Sequence, residues 1–262
     1  MMNFLKGNRM RKIVLAALLL ASPALAIDPP SGSPPGIVPA VAMNDRPADA
    51  IALDPSRRPV EILKFLGLRR GDRVLDVMTG GGYYAEIMGN AVGSYGTVLA
   101  MEPPGFFDDK SRAAFSMLVK RVPNVTLLAI LPTELDPPAN SIDFTLMHLV
   151  YHDTYWVSDK YKFPKMDPAA FLKRLYDATK PGGIVGVVDH AASAGGDTRA
   201  VVEKLHRIDP DIVKADFARA GFTLEAESDL LHVAADDHSK SVFDPAVKGK
   251  TDRFVMRFRK PA

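Results

Sequence analysis

The sequence predicts an α/β domain: a seven-stranded, mostly parallel sheet with helices on both faces and a C-terminal antiparallel hairpin. Three observations lead there. The run Val74-Leu75-Asp76-Val77-Met78-Thr79-Gly80-Gly81-Gly82-Tyr83 reads as a buried strand ending in a carboxylate, a tight glycine turn and the start of a helix. Strand-like runs at 73–77, 97–101, 125–129, 141–148 and 184–189 alternate with helix-like runs at 83–91, 111–122 and 167–179. That alternation lays parallel strands side by side under covering helices. Finally, 223–231 and 253–259 are strand-like with only polar loop sequence between them, so they should pair antiparallel at one sheet edge.

Taken in order, the chain opens with Lys6, Arg9, Arg11 and Lys12, an apolar run over 13–21, and Ala24-Leu25-Ala26. This is the pattern of a secretory signal peptide, with cleavage expected after Ala26 and a periplasmic or secreted product. Met10 serves equally well as a start, and an uncleaved anchor is the alternative. The apolar run is shorter than the roughly 20 residues of a membrane span, so no stable membrane insertion is expected after cleavage. With no cysteine there is neither a disulfide framework nor a lipoprotein anchor. Residues 27–45 read as a Pro/Gly-rich spacer, and 46–262 as one domain. Within it, 59–66 is amphipathic and starts at Pro59. Asp167-Pro168 should open a helix that Pro181-Gly182-Gly183 stops.

Removing 1–26 takes away four basic residues and leaves 29 Lys and Arg against 31 Asp and Glu. The slight basic excess belongs to the leader, and no nucleic-acid partner is expected.

The glycine loop carries the chemistry. A backbone without Cβ turns sharply and lets a ligand approach closely. Glu102 follows Gly82 by 20 residues and closes the run at 97–101, where it can meet the ribose hydroxyls of a nucleotide-type ligand. Asp76, Thr79, Gly80, Gly82 and Glu102 are the candidate cofactor-binding residues.

The order of these motifs resembles the class I S-adenosylmethionine-dependent methyltransferases, with their Rossmann-like sheet, over nearly the whole chain after the leader. Val74-Leu75-Asp76 with Gly80 and Gly82 is similar to the family's first motif, and Glu102 stands where its ribose-binding acid stands. Leu131-Pro132-Thr133-Glu134-Leu135 resembles the segment that contacts adenine, which implies Thr133, Glu134 and Leu135 at the cofactor. Residues 141–146, and 172–188 with Lys180-Pro181-Gly182-Gly183, resemble the fourth-strand and fifth-strand motifs. More narrowly, Gly80-Gly81-Gly82-Tyr83-Tyr84, Tyr151-His152-Asp153 and Thr251-Asp252-Arg253-Phe254 resemble an exported bacterial methyltransferase-like group. The resemblance implies S-adenosylmethionine as cofactor. Met78 departs from it, standing where many members have glycine, and should tighten the pocket around the cofactor's methionine end.

Ligands of open parallel sheets bind beyond the carboxyl ends of the strands, where strand order reverses. Residues 79–84, 148–156 and 189–190 should therefore share one cleft, with His148 on the cofactor side. His152 and Asp153 are the candidate general bases, since imidazole titrates near neutrality and a carboxylate can orient it or take a proton itself. Tyr83, Tyr151, Trp156, Asp189 and His190 should shape a pocket for a small-molecule acceptor, with His206-Arg207 in the helix after the fifth strand as further candidates. His148, His152, Asp153 and His190 could also meet at a cation, but no strong metal motif is present and no metal is expected. The Arg257, Arg259, Lys260 cluster reads as a solvated edge strand.

The expected activity is methyl transfer to a small-molecule oxygen or nitrogen. The alternative is an exported, non-catalytic ligand-binding protein that keeps the fold. An oxidoreductase is disfavoured because the loop lacks G-x-G-x-x-G spacing. A hydrolase is disfavoured because no serine elbow or cysteine is present.

Overall fold

A computed structural model describes residues 36–262; the expected signal peptide and the first part of the expected spacer lie outside the described residues. Helices α1 (Ile37–Val41), α2 (Ala48–Ile51), α3 (Asp54–Arg57) and α4 (Pro59–Leu66) lead into β1 (Arg73–Val77), α5 (Tyr83–Val92), β2 (Thr97–Met101), α6 (Asp109–Arg121), β3 (Val125–Leu128) and β4 (Ile142–His148). Then come α7 (Pro168–Ala178), β5 (Thr179–His190), α8 (Thr198–Leu205), α9 (Pro210–Arg219), β6 (Thr223–Ser228) and β7 (Arg253–Arg259).

Side-chain caps set several helix starts. Asp108, Asp167, Asp197 and Asp209 each accept a backbone N–H of the helix that follows, satisfying a donor that has no intrahelical partner. The sheet order is β3-β2-β1-β4-β5-β7-β6, parallel from β3 to β5, with β7 antiparallel to both β5 and β6. Alternate strand residues feed two cores. Val74, Phe144, Leu146 and Val188 pack with α1, α4, α5 and α6 on one face. Leu75, Val185, Val187 and Met256 pack with α7 and α9 on the other.

Three expectations are corrected. Residues 37–41, inside the expected spacer, form α1, with Ile37 and Ala40 buried. Pro39 falls in the first turn of α1, where no intrahelical N–H is lost, so it does not forbid the helix. The Arg46 guanidinium donates to both Asp54 oxygens at 2.8 Å and to the Val41 carbonyl at 2.7 Å, tying α1 to α3. The basic C-terminal strand is internal, lying between β5 and β6. Its charges are spent inside the fold: Arg257 donates to the Phe65 carbonyl at 2.7 Å, and Lys260 to the carbonyls of Tyr176 and Thr179 at 2.8 Å. His206 and Arg207 follow α8 instead of lying within it.

Arg207 is fully buried. It grips Asp236 with two nitrogens (2.8 and 3.0 Å) and also donates to the carbonyls of Ala191 and Lys240. It thereby clamps the loop between β6 and β7 onto the end of β5. Arg207→Ala strands a buried carboxylate and is expected to cost about 3–5 kcal/mol in urea unfolding. The Arg207→Ala/Asp236→Ala double variant should lose less than the sum of the single losses.

Candidate functional site

The carboxyl ends of β1 and β4 open into a cavity of about 650 Å³. Asp76, Met78, Thr79, Gly80 and Gly81 form its floor. Tyr83 and Glu86 of α5, Met117 and Leu118 of α6, Pro47, Ala50, Leu53 and Arg57, and the stretch from His148 to Val150 form its walls. Three loop residues do different work. Gly80, at φ 59°, has nothing within 4 Å of where a Cβ would lie, so its open side is available to a ligand. Gly82, at φ 82°, is a packing position: a Cβ there would stand 2.5 Å from Leu118 Cδ1. Met78 takes φ 51°, the left-handed conformation that favours glycine, with its side chain 6% exposed. Leu149 at the end of β4 is also left-handed, at φ 63°.

Two buried acids hold the loop. Asp76 Oδ2 accepts from the Thr79 hydroxyl at 2.6 Å, and Glu102 Oε2 accepts from Gly80 N at 2.8 Å. Burial pushes the Asp76 carboxyl up to about 7 despite the Thr79 hydrogen bond and nearby Arg57, which favour its charged form. Burial likewise lifts Glu102 to about 7, against the Gly80 N–H and with help from the charges of Asp76 and Asp153. Glu102 supports the loop from outside the cavity.

On the cavity wall, Tyr83 donates to Asp54 Oδ1 at 2.6 Å, and the Arg57 guanidinium lies 4.4 Å over its ring. Among the described residues Arg57 has no carboxylate at salt-bridge distance, and burial lowers its pKa below the usual guanidinium value. His148 packs on Tyr84 at 4.6 Å between ring centroids, and its Nε2 is buried without a hydrogen-bond partner. Burial holds the His148 pKa well below 6.5, so the ring is neutral.

The other expected residues lie elsewhere. Tyr151 is core: it is fully buried and donates to Asp216 Oδ2 at 2.7 Å. Trp156 packs at tilted angles against Tyr161, Phe163 and His206 and does not line the cavity. Thr133 and Glu134 are exposed on a 3₁₀ turn, where the Glu134 carboxylate is used to cap Leu131 N at 2.8 Å, while Leu135 enters the core. None of the three lines the cavity.

His152, Asp153 and Asp189 form a second polar centre beyond the ends of β4 and β5, joined by His206. Asp189, fully buried, accepts from His152 N (Oδ2) and His152 Nδ1 (Oδ1), both at 2.8 Å. His152 Nε2 stands 3.4 Å from Asp153 Oδ1, and His206 Nδ1 stands 3.8 Å from the same oxygen. Burial alone would lower the His152 pKa, but the charges of Asp189 and Asp153 outweigh it and push it up to about 9. The two carboxylates thus favour the protonated ring in the absence of a bound cation, and neither His152 nor Asp153 lines the cavity at the glycine loop. Burial lifts Asp153 to about 6 and drives His206 down to about 4. His190 turns away, its Nδ1 on the Thr251 hydroxyl at 2.7 Å, so neither it nor His148 joins this cluster.

The family model for protein-L-isoaspartate(D-aspartate) O-methyltransferase matches residues 57–123, the stretch that contains the glycine loop and Glu102. Comparison with curated proteins gives no match. Among solved structures, a SAM-dependent methyltransferase from Aquifex aeolicus is 22% identical with TM-score 0.56, covering 81% of this chain and 97% of its own. The Burkholderia thailandensis 1,6-didemethyltoxoflavin-N1-methyltransferase, with bound S-adenosylhomocysteine, is 19% identical with TM-score 0.52, covering 82% and 80%. The fold is that of the class I S-adenosylmethionine-dependent methyltransferases. The cyclase SpnF shares it at 16% identity and TM-score 0.56, covering 79% of this chain and 81% of its own. The fold therefore also carries other activities.

Sequence reasoning missed Arg57, Leu53 and the α6 wall. The signal for Arg57 was available: a charged run, Asp54-Pro55-Ser56-Arg57-Arg58, just ahead of the first amphipathic helix.

Asp76 generates a pH test. Its folded pKa lies above its unfolded value, so the stability that its protonated form confers is present below about pH 4 and is lost as pH rises through about 7. Asp76→Asn keeps an acceptor for Thr79 and carries no charge. Relative to the parent it should gain stability progressively between pH 5 and pH 8, measured by chemical unfolding of the ligand-free protein. An equal difference at both pH values would contradict the buried-acid assignment.

Proposed function

We propose that this protein transfers the methyl group of S-adenosylmethionine to an oxygen or nitrogen of a small-molecule acceptor. One observation carries the reading: Asp76, Thr79, Gly80 and His148 face a single cavity at the point where strand order reverses between β1 and β4. The residues fit the cofactor. The open side of Gly80 admits a close ligand. Asp76, poorly solvated, suits hydroxyl or ammonium donors. Arg57 has no carboxylate of its own and suits an anionic group.

When bound, S-adenosylmethionine supplies an activated methyl group on a sulfonium, which leaves the protein the tasks of alignment and proton removal. The proton acceptor in this reading is His148, a neutral imidazole that lines the cavity and whose buried Nε2 has no hydrogen-bond partner. That role replaces the one expected for His152 or Asp153, and His148 moves from the cofactor side to the acceptor. Tyr83 is the one expected aromatic that lines the cavity, and Leu53 and Met117 give it an apolar mouth. Its volume of about 650 Å³, in the range of small-molecule sites, supports a small acceptor.

Calorimetry of the chain from Ile27 should detect S-adenosylmethionine and S-adenosylhomocysteine. Gly80→Ala should weaken both at least about tenfold while its left-handed backbone costs about 1–2 kcal/mol, whereas Gly82→Ala, which adds a collision with Leu118 to that strain, should lower stability by about 2–4 kcal/mol. No binding at millimolar ligand would sink the reading. Given an acceptor from a labelled-methyl screen of periplasmic extract, His148→Ala should slow transfer by about 10²–10⁴-fold with cofactor affinity retained. Cofactor binding with no acceptor found would favour the non-catalytic ligand-binding alternative.

Export belongs to the same reading. A tagged full-length chain should be recovered outside the cytoplasm with Ile27 at or near its new N-terminus. Uncleaved cytoplasmic protein would overturn that part.

A further inference from the structure

We propose that His152 Nε2, Asp153 Oδ1 and His206 Nδ1 bind one divalent transition-metal cation of the zinc class, with Asp189 positioning His152. The three donor atoms lie within 4.8 Å of one another. The spacing separates a ligand set from an ordinary ion pair. Asp153 Oδ1 stands 3.4 Å from His152 Nε2 and 3.8 Å from His206 Nδ1, beyond the 2.7–3.2 Å of a good N–H···O hydrogen bond. Donors about 2.0–2.2 Å from a tetrahedral zinc stand roughly 3.3–3.6 Å apart, so the 3.4 Å separation is that of neighbouring ligands on one ion and the 3.8 Å separation needs only a small inward shift of His206. The other two-histidine cluster shows the contrast. His232 and His238 contact different oxygens of Asp252 at 2.9 and 3.0 Å, which is direct hydrogen bonding.

The surroundings are built for ligation. His152 Nδ1 on Asp189 Oδ1 fixes the ring so that Nε2 turns to Asp153, the carboxylate–histidine arrangement that orients metal ligands. His206 is held in a left-handed backbone conformation at the end of α8, φ 51°, its N–H on the Val202 carbonyl at 2.8 Å. Its ring packs against Trp156 and Phe243, at 5.2 and 4.8 Å between centroids. Two imidazoles and one carboxylate suit zinc, iron or cobalt over magnesium or calcium, which take all-oxygen shells. Three protein donors leave a coordination position open to water or to an oxygen of a bound molecule. Nothing here depends on methyl transfer, so the site stands or falls separately.

The test is titration of the chelator-treated chain from Ile27 with Zn²⁺ by calorimetry, and with Co²⁺ by visible absorption. One equivalent should bind at concentrations on the order of micromolar, unaffected by millimolar Mg²⁺. His206→Asn, which suits the left-handed backbone, should weaken binding at least about tenfold. Asp189→Asn, which leaves all three donors in place, should weaken it about 10–100-fold. His232→Ala should bind as the parent does. Circular dichroism checks folding, and Asp189→Asn carries the test if His206→Asn does not fold. The proposal is overturned if the parent takes up no Zn²⁺ at about 100 micromolar, if Asp189→Asn and His206→Asn bind like the parent, or if His232→Ala abolishes uptake.

Discussion

The position of β1 between β2 and β4, parallel to both, is the constraint on which the cavity depends. Val77 is in register with Met101 on one side and Met147 on the other. The next residue on each neighbour is then Glu102 and His148, flanking the left-handed Met78 and the loop that follows. One register therefore delivers the acid that holds Gly80, the unpartnered imidazole and the glycine floor to the same end of the sheet. A slip of one residue would reverse every side chain of β1 and bury the wrong ones. The two-sided core forbids it, because Val74 and Leu75 pack on opposite faces.

The same point in the fold stores unfavourable free energy. Met78 and Leu149 adopt left-handed backbone at the mouths of adjacent strands, and Asp76 and Glu102 hold carboxyls where water solvates them poorly. Left-handed non-glycine residues and buried acids each cost stability, and they persist where the surrounding structure over-determines them. Here the over-determination is the parallel pairing on both sides of β1. A donor from a bound molecule would relieve Asp76, the one of the two acids that lines the cavity.

Much of this was legible in the sequence, for identifiable reasons. Strands 73–77, 97–101 and 253–259 and the helix 59–66 stand where apolar periodicity placed them, because each buries a regular face. Proline content concealed α1, since composition reports flexibility on average while Ile37 and Ala40 report packing locally. Side-chain direction at strand ends was not legible. His148 and His152 are four residues apart, yet one opens on the cavity and the other on Asp189. His206 joins Asp153 only through tertiary folding, and nothing in its local sequence marks it. Arg257 of β7 and Lys260 just after it looked like solvent-facing charges because the carbonyls they satisfy, at Phe65, Tyr176 and Thr179, are distant in sequence.

The two polar centres are neighbours but separate, and Tyr151 is what separates them. Leu149 and Val150 line the cavity, whereas the turn that begins at Tyr151 places His152 and Asp153 against Asp189 and His206. The hydroxyls of Tyr151 and Tyr155 both donate to Asp216 of α9, and Phe217 packs on the Tyr151 ring. That anchoring in the second core fixes the turn as a rigid piece. A side chain changed on one side of it should leave the geometry of the other in place. The link that crosses is electrostatic: Asp153 raises the pKa of Glu102, the acid that holds Gly80. A positive charge bound at Asp153 would favour the ionised form of Glu102 and so strengthen its grip on the glycine loop.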